Sequence, residues 1–594
     1  MDDLSDNSTR RRFEFRILLI FVAVNAIFRL MLINQNGGEY TDGILQLTQF
    51  ERRDSFWPPL YTALAWLLRA VGIDALFAGR LISWAAAVGV VFPIWRIARR
   101  WGGPGTAVGA VTLYTVSPMA LRWSVRVMTD MPFLFFFMMS VAAILEMTCT
   151  ADAGQRSRRL IMATVWAVLA ALTRYQGLML APVLGLGAVW LLVKGRDWKA
   201  LAAQALWIAI PAWVLIGGFR HGEQVAARTG SETWQTLLNY WNVLEMFIYI
   251  IPYAITIPVF CFFATGLATG PKQDDATKAV PLRWFFLYAS ICILVAQSLF
   301  QSFQTRYLLP LIPFIYICGG AGMARLWEVS RKRRLQALAG GLIALTLLFS
   351  TAFMLTSFFL QRGAFADIYN AGYYIQLIKD FPEDGRVFTN ETYNADISAV
   401  KLSFASDREA ESIPDIAALT GLQNKLATIA PMQLLQMDAS LNLRLRRDQQ
   451  ERLQMRAPVT LTTPQILALW KSGQLPEASG PALRPTVMVS RDQLMEIWNS
   501  GQLDEMRVPA MPTGSILALH SAYGGFENLN FVEQLLASRY SLRPLPDAVF
   551  RATLVPLLPD IMQEPGTHQN PMAWFFRYQP QRFETRLYLV GPKR

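Results

Sequence analysis

Charge is scarce in this chain: Asp, Glu, Lys and Arg make up 16% of its 594 residues, while 53% are apolar. So small a charged share excludes an ordinary soluble enzyme and suits a polytopic membrane protein. Histidine is scarcer still, three in all, and His221 is the one in the apolar half of the chain. A metal centre there would have to join His221 to carboxylates from distant loops. The four cysteines, Cys149, Cys261, Cys292 and Cys318, sit in hydrophobic segments, so no disulfide framework is implied. Neither a Gly-rich phosphate cradle nor a Cys/His cluster occurs. The charge that is present is in positive excess, +12, but most of it lies in short loops between apolar runs, where it orients a membrane protein rather than binding nucleic acid.

Long apolar runs fill the first ~360 residues, each near the ~20 residues a bilayer needs. Arg10, Arg11, Arg12 and Arg16 precede a run from Ile17 to about Ile33 with no small-residue cleavage site after it, which is read as an uncleaved signal anchor with its N-terminus inside. Further spans are expected at 78–95, 104–121, 131–149, 159–173, 177–193, 201–218, 246–268, 284–302, 308–324 and 337–360. Alternate loops then hold Arg96/Arg99/Arg100, Arg156/Arg158/Arg159, Lys194/Arg196/Lys199, Lys272/Lys278/Arg283 and Arg331/Lys332/Arg333/Arg334, so every basic cluster falls on the inner side. About eleven spans is an odd number, and the tail from about Gln361 is expected outside. The apolar stretch from Trp57 to Val71 is too short to span and is expected along the outer interface.

The outer side collects loops at 34–77, 122–130, around Arg174-Tyr175-Gln176-Gly177, at 219–245 and around Gln304-Thr305-Arg306-Tyr307. They carry acids, arginines and tyrosines at the hydrocarbon boundary. Asp42, in Glu39-Tyr40-Thr41-Asp42-Gly43, is answered by Asp130, in Thr129-Asp130-Met131-Pro132. Such a surface suits joining something lipid-bound to something polar. Plainer readings stand beside this one. Asp130 at the start of a span is a candidate helix N-cap, Arg29 and Arg306 are candidate snorkelling arginines, and Tyr175 and Tyr307 are candidate aromatic-belt anchors.

These residues resemble the bacterial membrane glycosyltransferases of the GT-C type, in the protein-mannosyltransferase-like and aminoarabinose-transferase-like branch (glycosyltransferase family 39-like). The resemblance covers about residues 15–360. It rests on Asp42 after the first span, Trp57-Pro58-Pro59-Leu60-Tyr61, Gly79 to Ser83 leading the next span, Thr129-Asp130 before Pro132-Phe133, Leu172-Thr173-Arg174 and Arg306-Tyr307-Leu308-Leu309-Pro310-Leu311. Relatives commonly have Asp-Glu where this chain has Asp42-Gly43, and Glu39 is the substitute for that second carboxylate.

The resemblance implies an all-α polytopic membrane domain of the GT-C type at 1–360; the strand and helix pattern of the tail itself adds a C-terminal soluble mixed α/β domain at 361–594. The resemblance also implies a polyprenyl-phosphate sugar donor and a glycan, lipid or protein acceptor, at the outer face of a bacterial cytoplasmic membrane. Asp42 is then the base that deprotonates the acceptor hydroxyl, with Asp130 as a second catalytic acid, a metal ligand or an acceptor contact. Arg306, Arg174 and Arg126 are the donor-phosphate ligands, because guanidinium binds phosphate bidentately and stays charged. Glu39, Tyr40, Tyr175 and Tyr307 are further substrate contacts. One base with direct displacement inverts the anomeric centre. A divalent metal ion stays an open expectation, with His221 its candidate ligand. The rival from another class is a transporter or flippase of lipid-linked glycans, which should show broken helices and ionisable groups near mid-membrane.

The tail holds an internal echo: Val459-Thr460-Leu461-Thr462 with Gly473-Gln474-Leu475, then Val487-Met488-Val489-Ser490 with Gly501-Gln502-Leu503, 28 residues on. Each copy reads as a strand, a Thr or Ser cap, a helix bearing Trp470 or Trp498 in the core, and a Gly stop. Further strands are expected at Val387-Phe388-Thr389 and Leu587-Tyr588-Leu589-Val590.

Overall fold

A computed structural model of the chain describes residues 2–35, 39, 41–51, 53, 57–195, 205, 209, 255–269, 282–298, 303–330 and 333–361, and in the C-terminal part 377–381, 385–389, 399–413, 435–437, 459–460, 462–472, 487–489, 491–500, 510–520, 525–554, 561–562 and 581–593. The expected span at 201–218, the first part of that at 246–268, the loop at 219–245 with His221, and Tyr40 fall outside the described residues. The chain divides into two compact units, one of Met1–Asn36, Leu45–Arg362 and Pro556–Tyr578, the other of Gly37–Ile44, Gly363–Val555 and Gln579–Arg594.

The first unit is helical apart from a two-stranded antiparallel ribbon of Phe303–Gln304 (β1) and Ile561–Met562 (β9). Its helices are α1 (Asp2–Leu32), α3 (Leu60–Ala70), α4 (Ala75–Gly89), α5 (Val91–Thr115), α6 (Pro118–Ser124), α7 (Asp130–Thr148), α8 (Ala153–Thr173), α9 (Ala181–Gly195), α10 (Ile257–Thr269), α11 (Leu282–Ser298), α12 (Ile312–Val329) and α13 (Arg333–Gln361); α2 (Thr41–Leu47) precedes α3. Tyr175–Leu180 and Thr305–Leu311 are 3-10 turns. Among the described residues, five stretches are long and apolar enough to cross a membrane: Arg12–Leu32, Ala75–Thr115, Asp130–Thr148, Arg306–Val329 and Arg334–Phe359. Local sequence sets several helix starts. Asp74 accepts from Phe77 N at 2.9 Å, Asp152 from Gln155 N at 2.8 Å, and Ser117, with Pro118 after it, from Ala120 N at 3.1 Å.

Two boundaries differ from expectation. Helix α5 runs through Arg96, Arg99 and Arg100 and bends only at Gly103, before Pro104, so the expected loop there is helical. Two of these arginines, Arg96 and Arg99, find charge partners that keep them in the helix. Arg96 holds Glu146 of α7 through two hydrogen bonds (2.9 and 2.7 Å), Arg159 of α8 meets the same carboxylate at 2.9 Å, and Arg99 meets Glu14 of α1 at 2.9 Å. The expected span 104–121 stops at Thr115, after which Ser117-Pro118 restarts the chain as α6. Where α5 crosses α12, Gly109 faces Gly320, and a Cβ on Gly109 would lie 2.8 Å from the Gly320 Cα. Small residues let two apolar helices approach this closely in lipid, where van der Waals packing has to hold them.

The second unit mixes strands and helices. A five-stranded sheet has the order Ala410–Ser412 (β3), Val387–Thr389 (β2), Ile516–His520 (β7), Gln581–Lys593 (β10), Tyr540–Leu554 (β8), parallel among the first three and antiparallel thereafter. Ile378, Val387, Leu402, Ile516, Ala518 and Leu587 form its core. A second, parallel sheet has the order Leu435–Met437 (β4), Val487–Val489 (β6), Val459–Thr460 (β5). The 28-residue echo is visible in its register, since Val459 pairs with Val487 and Thr460 with Met488. The helices of the two copies, Thr463–Ser472 and Arg491–Ser500, are joined by Thr463 Oγ1 donating to Glu496, and Gln465 accepts from Thr462 N at 2.8 Å as a capping box would. The side chains of Trp470 and Trp498 lie outside the described part.

Candidate active site

The site builds up from the segment 122–130, which joins α6 to α7. Its backing comes from residues of the recurring motifs. Tyr61 of the Pro58-Pro59-Leu60-Tyr61 run donates to the Gly79 carbonyl at 3.0 Å, and Thr62 beside it donates to the Gln46 carbonyl at 2.7 Å. Gly79 and Ser83, four apart, share one face of α4. A Cβ at Gly79 would meet Val127 Cγ1 at 2.8 Å, and Ser83 Oγ donates to the Met128 carbonyl at 3.1 Å. The motifs therefore hold one loop against one helix.

On that loop Asp130 is the first helical residue of α7 and is 2% exposed. It is not the cap: Thr129 holds that position, without a side-chain cap bond. Asp130 Oδ1 instead accepts from Nη1 of Arg174, while Oδ2 makes no hydrogen bond among the described residues. A carboxylate at a helix N-terminus also gains from the helix dipole. Arg174 can reach it because α8 ends at Thr173, leaving Arg174 extended before the 3-10 turn, in which Gly177 N bonds the Arg174 carbonyl at 2.8 Å.

The turn 305–311 supplies the next side chains. Arg306, 6% exposed, points Nη1 at Met128 Sδ (3.7 Å) and lies 5.7 Å from the Trp123 ring and 5.5 Å from the Tyr307 ring. Tyr307, half-buried, also stands 5.0 Å from the Arg174 guanidinium, so one ring serves two cations. Arg126 is 1% exposed. The structure thus brings Asp130, Arg174, Arg306 and Tyr307 together, with Arg126 on the same loop as Asp130. Tyr175 opens its turn at 38% exposure. Glu39, buried, and Asp42, half-buried in the first turn of α2, belong to the second unit.

Sequence reasoning missed Arg122 and Trp123, both buried. The available signal was Arg122 and Arg126, four apart in an otherwise apolar stretch. It also misread Arg29, which is 0% exposed and does not snorkel. Asn25, one turn earlier on the same face, accepts from its Nε at 3.3 Å. Among the described residues no three of His, Cys, Asp and Glu group to hold a metal ion.

Buried arginines at the end of an apolar bundle are a place for an anion. The opposite end of α7 lies about 24 Å away at 1.5 Å per residue, where Glu146 meets Arg96 and Arg159. The two charged layers are thus separated by most of the roughly 30 Å hydrocarbon thickness of a bilayer, and the chain is a multi-pass membrane protein.

Known proteins give the same picture. The family described as dolichyl-phosphate-mannose-protein mannosyltransferase matches residues 57–217. No curated protein matches the sequence. The chain is similar to the apo crystal structure of ArnT from Cupriavidus metallidurans, at 12% identity and a TM-score of 0.51, covering 96% of this chain and 97% of that one. ArnT of the same organism bound to undecaprenyl phosphate is matched with a TM-score of 0.46, 12% identity and the same coverages. The oligosaccharyltransferase AglB from Archaeoglobus fulgidus is matched with a TM-score of 0.40, 11% identity, 68% of this chain and 64% of that one. The chain resembles the GT-C glycosyltransferases, in fold along nearly its whole length and in sequence across the segment that carries Gly79, Ser83, Asp130 and Arg174.

Proposed function

We propose that this protein is a GT-C membrane glycosyltransferase that moves a sugar from a polyprenyl-phosphate donor to an acceptor hydroxyl, with inversion, at the outer face of a bacterial cytoplasmic membrane. The observation that carries the reading is the buried Arg306 against Trp123 and Met128, with Arg122 and Arg126 buried on the same segment as those two residues and the Asp130–Arg174 pair beside it, at one end of the apolar helices. Burying guanidinium groups at a hydrocarbon boundary is costly, and an anionic headgroup held there offsets the cost.

In the reaction the acceptor oxygen forms a bond to the anomeric carbon as the bond from that carbon to the donor phosphate breaks. The electron pair leaves with the phosphate, and the hydroxyl proton passes to a carboxylate. Asp42 is that base, with Glu39 beside it as the second acid of the first outer loop. Arg306 and Arg126 hold the phosphate and stabilise the charge gathering on it. Arg174 contributes to the same field while fixing Asp130, whose unbonded Oδ2 faces an acceptor contact role. Tyr307 stands between the two arginine turns, and Tyr40 and Tyr175 are the remaining substrate contacts. The tail, 361–594, takes part in acceptor recognition from the outside.

The test is incubation of the purified protein with a panel of polyprenyl-phosphate sugars and glycan, lipid and protein acceptors, following released polyprenyl phosphate and the anomeric configuration of the product. Transfer with inverted configuration supports the proposal. Movement of intact lipid-linked glycan across a vesicle with no bond cleaved would establish the transporter reading instead.

A further inference from the structure

Helix α6, Pro118–Ser124, carries Arg122 and leads directly into Arg126, Met128 and Asp130. Seven residues are too few to hold a helix in place unaided. Its apolar side packs Leu121 and Val125 against Met354 and Phe358 of α13, with Phe28 and Leu32 of α1 alongside. Such contacts bury the helix without fixing its rotation or its slide along the neighbours, since dispersion contacts have no direction.

Direction comes from buried polar side chains at both ends. At the N-terminus Tyr316 of α12 donates to Ser117 Oγ at 2.6 Å, and that oxygen accepts from Ala120 N. At the C-terminus Arg29 of α1 donates Nη1 to Ser124 Oγ at 3.0 Å and Nη2 to the Tyr114 carbonyl at 3.4 Å, with its guanidinium 5.2 Å from the Tyr114 ring. The Tyr114 carbonyl belongs to the last turn of α5, where it also accepts from Ser117 N at 3.2 Å and the helix dipole favours a cation. Asn25 orients Arg29 in turn, itself donating to the Phe21 carbonyl and to Thr115 Oγ1, both at 2.9 Å. A leucine at position 29 would pack as well and avoid a buried charge. What it would lack is the bond to Ser124.

We infer that Arg29 is a positioning residue for the donor-phosphate site: by locking Ser124 to the end of α5, it sets where the two flanking arginines, Arg122 and Arg126, present their guanidiniums. This rests on the proposed function and deepens it. Arg29 acts through α6 rather than on the donor.

The experiment measures undecaprenyl phosphate binding and thermal unfolding of the full-length protein in detergent, for wild type, Arg29→Met, Arg29→Lys, Ser124→Ala and Arg126→Ala. Arg29→Met is expected to weaken binding about tenfold or more in the folded fraction, Ser124→Ala severalfold, and Arg29→Lys to recover part of the loss by reaching Ser124 alone. If Arg29→Met does not fold, Ser124→Ala, which leaves α6 its apolar contacts, carries the test. Lowered unfolding temperatures with wild-type affinity in Arg29→Met and Ser124→Ala, while Arg126→Ala loses affinity, would overturn the positioning role alone. Wild-type protein that does not bind undecaprenyl phosphate, or binding that Arg126→Ala leaves intact, removes the donor-site reading and the inference with it.

Discussion

The Asp130–Arg174 pair makes a sharp quantitative test, because its two members are buried unequally. Asp130 is 2% exposed and the Arg174 side chain 15%. Arg174→Met fills similar space but leaves the carboxylate buried without its cation, which typically costs about 3–5 kcal/mol. Asp130→Asn keeps a group able to accept from Arg174 and leaves a guanidinium that retains the Tyr307 ring and some solvent, so its cost is expected near 1–2 kcal/mol. In the double variant no buried carboxylate is stranded, and its stability should be no lower than that of Arg174→Met alone. The coupling energy is then at least about 1–2 kcal/mol. Unfolding of the detergent-solubilised protein, followed by intrinsic fluorescence for all four members of the cycle, gives the number. Additivity within about 0.5 kcal/mol would show the two side chains to be independent and refute the buried ion pair as a source of stability.

Asp42→Asn should lower sugar transfer by roughly 10²–10⁴-fold while donor binding survives, whereas Arg306→Ala should weaken donor binding along with turnover; near-normal transfer by Asp42→Asn would pass the base role to Asp130 or Glu39. Cysteines placed beside Asp42, Asp130 and Arg306 should react with an impermeant thiol reagent from outside the cell and those beside Arg158 and Lys332 should not, and labelling at Lys332 would invert the topology. In the second unit, burial and the hydrogen bond to Glu533 raise the Tyr588 hydroxyl above the usual tyrosine value, with Arg586 opposing. Its contribution to stability is therefore complete below about pH 10 and lost above it as the unfolded chain ionises first. Tyr588→Phe should flatten the alkaline arm of the unfolding profile, and an unchanged arm would assign it to other groups.

Hydrophobic runs and basic loops were enough to read a multi-pass helical membrane protein, since a bilayer demands about 20 apolar residues and a charge bias whatever their partners. The strand at Val387–Thr389 and the paired copies at 459 and 487 were legible too, because β-branched alternation and cap residues act locally. Where the sequence misled, a distant partner had decided. Arg96 and Arg99 look like loop charges until Glu146 and Glu14, from other helices, neutralise them inside α5. Asp130 has the pattern of a helix cap, and nothing nearby in the chain announces that Arg174 will take its carboxylate.

For the candidate site, the sequence by itself determined the residue types: acids, arginines and tyrosines at the ends of apolar spans. It also sets an expectation for which loops share a side, because charge bias and span count act along the chain without reference to packing. Tertiary structure alone decided which of these side chains meet. Gly79 and Ser83 earn their place in a motif only when α4 lies against Val127 and Met128, and Arg29 turns from a surface cation into a buried link only when α5 and α6 close over it. Hydrogen bonds and ion pairs between residues 44 to 199 positions apart depend on how helices cross, and crossing is set by packing surfaces that no local pattern encodes.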